Sequence, residues 1–278
     1  MSLIDLKGAS DVAIKFLDMV EKSIGWAVAP KGSRKDFYDG LEIYKKSIKN
    51  DQFLSEKEKA IKISLATRDF RQYINQAKIV EFAKSDINQD ADFKNIDPDW
   101  LAFFFEYAKN ISKEEAQLIW AKLLANRVNG ERQVSKKLIH ILAIIEDDDI
   151  DVFCKICSMT FDSENRKNFK YPFIYIGNFP SYYNSINIRR YHLRSLADLG
   201  LIEYDITNGF VLPEKVPILK YGDTKIKLSS NDRINTGDIR LTATGRTLYD
   251  MTERKYRKDF IEQCKRIWKA LNVKYEHV

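Results

Sequence analysis

Residues 55–85 read SEKEKAIKISLATRDFRQYINQAKIVEFAKS, and this stretch decides the fold class. Ser55 and Glu58 have the S-x-x-E spacing of a capping box. In that motif the hydroxyl and the carboxylate each satisfy a backbone N–H that the first helical turn leaves free. No Gly or Pro interrupts the chain until past Ser85. At about 1.5 Å per residue, about 30 residues span roughly 45 Å. Ile63, Ala66, Phe70, Tyr73, Ile74, Ala77 and Val80 give the helix its apolar set. So long a helix in a chain of 278 residues buttresses a bundle or forms a subunit interface. A seam of Ala and aromatic residues is not the repeated Leu/Ile seam of a long coiled coil.

Upstream, Ser10 is placed to cap a first helix, with Ala13, Phe16, Leu17, Val20 and Ile24 at helical spacing. The stripe runs into Gly25-Trp26-Ala27-Val28-Ala29 and stops at Pro30-Lys31-Gly32. It reads as a helix packed on the body or on another subunit. The alternative is an interfacial membrane helix with Trp26 at headgroup level, and the mixed charges of the polar face argue against that. Residues 36–50 form a short helix carrying Phe37, Leu41, Tyr44 and Ile48.

Downstream, Asp97-Pro98-Asp99-Trp100 starts another helix: Asp caps, Pro occupies the first turn, and Asp99 meets the positive dipole end. Ser112-x-x-Glu115 predicts a second capping box, opening a helix that Asn129-Gly130 ends. The short turn between these two helices predicts an αα-hairpin. Ser135 starts the next helix, and an acidic knot, Glu146-Asp147-Asp148-Asp149 with Asp151, leads into an apolar segment, Val152 to Phe161.

The character then changes. Residues 162–170 are polar, and strand patterns follow in Tyr171 to Ile176, Lys225 to Leu228 and Asp238 to Leu241. The expected domain boundary is near residue 165. The expected fold class is mainly α: a helical N-terminal domain (1–165) and a smaller α+β C-terminal domain (166–278).

Composition narrows the function classes. The chain is 44% hydrophobic and 31% charged, a globular balance rather than a disordered one. No apolar run approaches the roughly 20 residues that cross a bilayer. Asp5, Asp11 and Asp18 interrupt what would be a signal peptide's apolar core. Three cysteines suit a reducing compartment, so the expected localisation is cytoplasmic. The net charge of +6 is uneven: Arg240 to Val278 holds ten Lys/Arg against five Asp/Glu. A basic C-terminal end is compatible with an anionic partner.

Two resemblances follow from particular residues. Asp97-Pro98-Asp99-Trp100-Leu101, Phe104, Ala108, Ile111-Ser112 and Gln117-x-x-Trp120-Ala121-x-x-Leu124-Ala125, with Asp5-Leu6-Lys7-Gly8, resemble an uncharacterised bacterial domain-of-unknown-function family over about residues 3–160. That family is similar to the abortive-infection alpha proteins, which implies phage defence and brings no catalytic residue with it. Asn129-Gly130-Glu131 departs from the Pro-Gly such proteins often carry there. The second set is Leu193-x-x-Leu196-x-x-Leu199-Gly200-Leu201-Ile202-Glu203 with Leu241-Thr242-Ala243-Thr244-Gly245-Arg246-Thr247-Leu248. It resembles the latter half of winged-helix domains, which implies a helix ending at Gly, a strand entering a wing, and a closing helix. About 35 residues separate the two pieces, so the wing is expected to be enlarged by a hairpin including Lys225 to Leu228.

Candidate chemistry is sparse. Cys154-x-x-Cys157 lacks the further ligands of a zinc site and sits in an apolar segment, where Cys acts as a small hydrophobe. His140 lies within an apolar run and reads as a core or interface residue. No P-loop, nucleophile elbow or dinucleotide loop appears. No catalytic constellation, metal site or cofactor is expected.

The functional candidates are basic. On a helix from Ile186 to Leu199, Leu193, Leu196 and Leu199 face inward, and Asn187, Arg190 and Arg194 lie on another face. In a DNA-binding winged helix that face enters the major groove. On a final helix from Thr252 to about Val273, Phe260, Ile261, Cys264, Ile267, Trp268 and Leu271 are buried. Arg254, Lys258, Lys265 and Lys269 line another side, able to track phosphates. The expected function is a non-enzymatic binding or regulatory protein. Its partners are DNA or RNA, and a protein partner or second copy through the helical domain. Two rivals stay open: a protein-interaction adaptor whose winged helix only packs, and a metal-dependent nuclease using the carboxylates near Asp148.

Overall fold

The computed structural model describes residues 11–24, 34–91, 93–131, 134–164, 169–213 and 218–278. Ser10, Trp26, Asp5 to Gly8 and the side chains of Ile24 and Phe37 lie outside the described residues. The chain divides into two compact units, Met1–Ala143 and Ile144–Val278. Among the described residues no helix is long and apolar enough to cross a membrane.

In the first unit the helices are α1 (Asp11–Ile24), α2 (Arg34–Asn50), α3 (Glu56–Lys84), α4 (Pro98–Ala108), α5 (Glu114–Val128) and α6 (Lys136–Ile144), which ends at the boundary. The α3 capping box is present: the Ser55 N–H donates to Glu58 Oε2 at 2.9 Å, and the Glu58 N–H donates to Ser55 Oγ at 3.3 Å. Asp97 caps α4 by accepting the Asp99 N–H at 2.9 Å, with Pro98 in the first turn. The second expected box is absent. The helical register of α5 begins at Lys113, one residue past Ser112, and no side chain caps it. Glu114 and Glu115 in the first turn still meet the helix dipole.

Nor do α4 and α5 pack back along one another as a hairpin: α5 lies along α3, and α4 packs against α1. The reason is how the turn is held. Asn75 and Gln76, buried on α3, donate to the carbonyls of Lys109 and Phe105, and Gln117 donates to Ile111. These bonds satisfy the carbonyls that end α4, as a buried helix terminus requires. They also seat the turn on α3. Trp100, Phe104 and Trp120 fill the space above it, with Phe104 and Trp120 centroids 5.2 Å apart, and Trp100 donates to the Val134 carbonyl at 2.7 Å. Gln117, Trp120 and Ala121 are therefore packing residues. His140 is exposed on α6, within 3.2 Å of the Tyr107 hydroxyl, and is not in the core.

The second unit runs α7 (Asp147–Ser158), β1 (Thr160–Ser163), β2 (Lys170–Pro172), α8 (Pro180–Ser185), α9 (Arg190–Asp198), β3 (Ile202–Tyr204), β4 (Phe210–Val211), β5 (Leu219–Tyr221), β6 (Thr224–Ser229), β7 (Asn235–Gly237), β8 (Ile239–Leu241), α10 (Ala243–Met251), α11 (Lys258–Ala270) and β9 (Lys274–His277). An antiparallel sheet has the order β2-β1-β5-β6-β9, and two short ribbons pair β3 with β8 and β4 with β7. The expected boundary near 165 falls inside this unit. The strands on either side of residue 165, β1 and β2, pair with one another, and α7 packs on α9. The fold is mainly α with an α+β part.

The core of this unit is aromatic. Phe161 meets Phe173 and Tyr221 at 5.0 Å and Trp268 at 6.0 Å. Helix α11 buries Phe260, Cys264, Ile267 and Trp268. It begins at Lys258 rather than Thr252, leaves Leu271 exposed, and is followed by β9, which the sequence reading did not anticipate. The Lys225 to Leu228 hairpin exists as β5–β6, but it is a member of the five-stranded sheet and not a projecting wing. Leu219, Ile226 and Leu228 are buried there, and that apolar face draws the hairpin inward.

Candidate nucleic-acid interface

Helix α8 starts with Pro180 and ends at Ser185, and two residues on Asn187 has a left-handed φ of 58°. The Asn187 N–H donates to the Asn184 carbonyl at 3.1 Å and the Ile188 N–H to the Tyr183 carbonyl at 2.8 Å. This is the paired-bond pattern that closes a helix C-terminus, with Asn in the position Gly usually takes. Helix α9 therefore begins at Arg190, four residues later than the continuous 186–199 helix expected from periodicity. Asn187 leaves the expected arginine face and becomes the turn residue between two helices.

On α9, His192, Leu193 and Leu196 face inward and Leu199 is half-buried. The Arg189 N–H donates to His192 Nδ1 at 3.2 Å. Burial holds the His192 imidazole below its ordinary pKa against the opposing charges of Asp149 and Asp148. Ser195 donates to Asp149 at 2.6 Å, which ties α9 to the start of α7. Arg190, Tyr191 and Arg194 remain exposed. Among the described residues neither arginine forms an ion pair or a side-chain hydrogen bond. Their charges reach Tyr204 on β3, where burial pushes the phenol up and the two arginines pull it down. Asp238 feels Arg190 too, but burial raises that carboxyl above its ordinary value, and it accepts the Gly177 N–H at 2.6 Å.

The turn after α9 explains the two glycines of the sequence pattern. Gly200, at φ 74°, ends the helix, and the Leu201 N–H donates to Leu196. The Thr242 hydroxyl donates to the Gly200 carbonyl at 2.7 Å, accepts the Gly245 N–H at 3.0 Å, and so caps α10. A Cβ on Gly245 would lie 1.9 Å from the Leu201 carbonyl oxygen, so only Gly allows α10 this close.

The remaining candidates separate. Arg254 is not on α11. It lies between α10 and α11, 3.0 Å from Asp162, with its guanidinium 4.6 Å from the centre of the Tyr249 ring. Lys170 also pairs with Asp162, at 2.9 Å. Arg254 is thus a structural cation, held because Asp162 is only partly exposed and needs donors. Lys265 pairs with Glu262 at 2.8 Å, and that hydrogen bond raises its pKa. Lys258 and Lys269 are exposed on α11. Arg266 and Lys274, which the sequence reading missed, border the same groove as Lys265, Lys269 and Tyr275. Lys274 joins them because β9 folds back beside α11, a pairing that no local pattern announces.

The acidic stretch does not converge. Asp149 accepts from Ser195, Asp151 pairs with Lys155, and among the described residues no three His, Cys, Asp or Glu side chains group as a metal site. Cys154 and Cys157 lie on α7, where burial pushes both thiols up, away from the reactive thiolate.

Fold and surface together define a mainly α protein with an α+β part, in which a short turn joins α8 to α9 and α9 bears the exposed Arg190 and Arg194. The model of the family described as "Protein of unknown function (DUF2806)" matches residues 65–265, and the chain belongs to that family. No curated protein and no solved structure gives a significant match.

Proposed function

We propose that the second unit is a winged-helix module that binds nucleic acid through α9, in a non-enzymatic regulatory protein. The observation that carries this reading is the pair Arg190 and Arg194, exposed and unpaired among the described residues, one turn apart on the second helix of α8–turn–α9. The order that follows supports it: strand β3, a return strand β8 paired with it, and the closing helix α10. Guanidinium groups so placed can clamp phosphates or read guanine edges. Lys258, Lys265 and Lys269, with Arg266 and Lys274, supply a second basic surface for a phosphate backbone. A role in phage defence rests on the resemblance of the Asp97 to Ala125 motifs alone.

The protein-adaptor reading draws support from the β5–β6 hairpin, because a wing absorbed into a sheet is not free to reach a groove. One experiment separates the two. Affinity for a random DNA duplex and for a single strand is measured at two salt concentrations with Mg²⁺ present, and the nucleic acid is checked for cleavage. Nucleic-acid binding that weakens steeply with salt is expected, and Arg190→Glu with Arg194→Glu is expected to abolish it while the protein stays folded. Removing two phosphate contacts lowers the salt slope by about 2. No binding in either salt sinks this reading and favours the adaptor. Cleavage that a chelator stops would instead restore the nuclease.

A further inference from the structure

Among the described residues, the outer part of α3, from Glu56 to about residue 72, is half-buried on the side of Ile63, Ala66 and Phe70 and exposed on the other. There α2 packs along α3: Ile48 is buried, and the Tyr38 and Phe70 rings lie 4.9 Å apart. The opposite side carries Glu58, Ile61, Leu65 and Arg68, spaced three, four and three residues apart, a seam pattern at helical periodicity. Ile61 is 50% and Leu65 43% exposed. The seam reads acid, apolar, apolar, base.

We infer that this face pairs with the same face of a second copy, with the two α3 helices antiparallel. A reversed copy centred on residue 63 sets Ile61 against Leu65 of the other chain twice, and Glu58 against Arg68 twice. A parallel copy would instead set Glu58 beside Glu58 and Arg68 beside Arg68. The order of charges along the seam therefore selects the antiparallel arrangement, and it makes the face complementary to itself. In the single chain Glu58 uses Oε2 for the Ser55 cap, and Arg68 holds Asp69 at 3.0 Å. Both bonds are local and exposed, and they leave each side chain able to reach across. One feature opposes association: Lys62, beside the seam, meets Lys62 of the other copy at the two-fold axis. The contact is short, so dimerisation is weak and concentration-dependent.

Sedimentation of the full chain from about 1 to 200 μM, a range that brackets micromolar affinity, tests this. The wild type is expected to pass from monomer to dimer. Glu58→Arg alone and Arg68→Glu alone are each expected to stay monomeric, at least tenfold weaker. An equimolar mixture of the two variants is expected to dimerise, because each then meets an opposite charge in both outer layers. Lys62→Gln is expected to tighten the dimer. Should Glu58→Arg lose helix through its cap, Ile61→Gln with Leu65→Gln, exposed positions outside the cap, is the substitute; it is expected to abolish association with an unchanged circular dichroism spectrum. A wild type monomeric throughout, or a mixture no more associated than its components, overturns the inference.

Discussion

The Arg254 guanidinium stands 3.0 Å from the carboxylate of Asp162, across 92 residues of chain. The pair closes a cluster in which Tyr249 donates to Asp162 at 2.8 Å and Lys170 pairs with the same carboxylate at 2.9 Å. It joins β1 and β2 to α10 and to the segment before α11. A cation placed this way holds the unit together.

Arg254→Ala is expected to destabilise the protein by about 1–3 kcal/mol, the cost of depriving a half-buried carboxylate of a donor. Urea unfolding measures it. Affinity for DNA, compared at equal folded fraction, is expected to stay at the wild-type value. A tenfold loss would put Arg254 back in the interface.

The same cluster gives a pH dependence. Burial works against the Asp162 charge, but hydrogen bonds from Lys170 and Tyr249 and the charges of Lys170 and Arg254 outweigh it and hold the carboxyl below its ordinary value. A depressed folded pKa means stability that is complete above the unfolded value, about pH 4, and lost as pH falls through the folded value. Asp162→Asn is expected to lower stability at neutral pH and to flatten the acid limb. A limb as steep as in the wild type would assign it to other carboxylates.

Asn187 tests the turn. In its left-handed conformation, Asn187→Gly is expected to change stability by no more than a few tenths of a kcal/mol. Asn187→Val is expected to cost about 1–2 kcal/mol, because a β-branched side chain clashes there. Thermal unfolding reads both. Equal effects would mean that the backbone at 187 is not held left-handed.

Gly245 and Thr242 test the contact between α10 and the turn after α9. Thr242→Ala is expected to cost about 1 kcal/mol, the ordinary loss of an N-cap. Gly245→Ala is expected to cost more than about 3 kcal/mol, since backbone must move to admit the methyl group. Urea midpoints at constant slope decide it. A mild Gly245→Ala would show that α10 shifts freely.

Much of the first unit was legible because its signals are local. The Ser55–Glu58 box, the Asp97 cap and the Gly130 stop act within one helical turn, so residue types at fixed spacing suffice to find them. The Ser112 box failed by one residue, because two registers offered similar first turns and the seat on α3 chose between them. Periodicity put Arg190 and Arg194 on an exposed helix face, as they are, and also put Asn187 there, which is a turn residue instead. Helical spacing alone does not reveal a left-handed residue that splits one helix into two. Arg254 was misplaced for a different reason: its partner is distant in sequence.

The sequence by itself determined the capped helices α3 and α4 and the identity of the cations. Capping, periodicity and charge are properties of neighbours along the chain. Tertiary structure alone decided which cations are spent on carboxylates and which stay exposed. It also decided that the β5–β6 hairpin enters the sheet, and that α3 buries one side and leaves Ile61 and Leu65 open. Those outcomes depend on burial and on partners brought from far along the chain, where desolvation forces each half-buried charge to find its opposite.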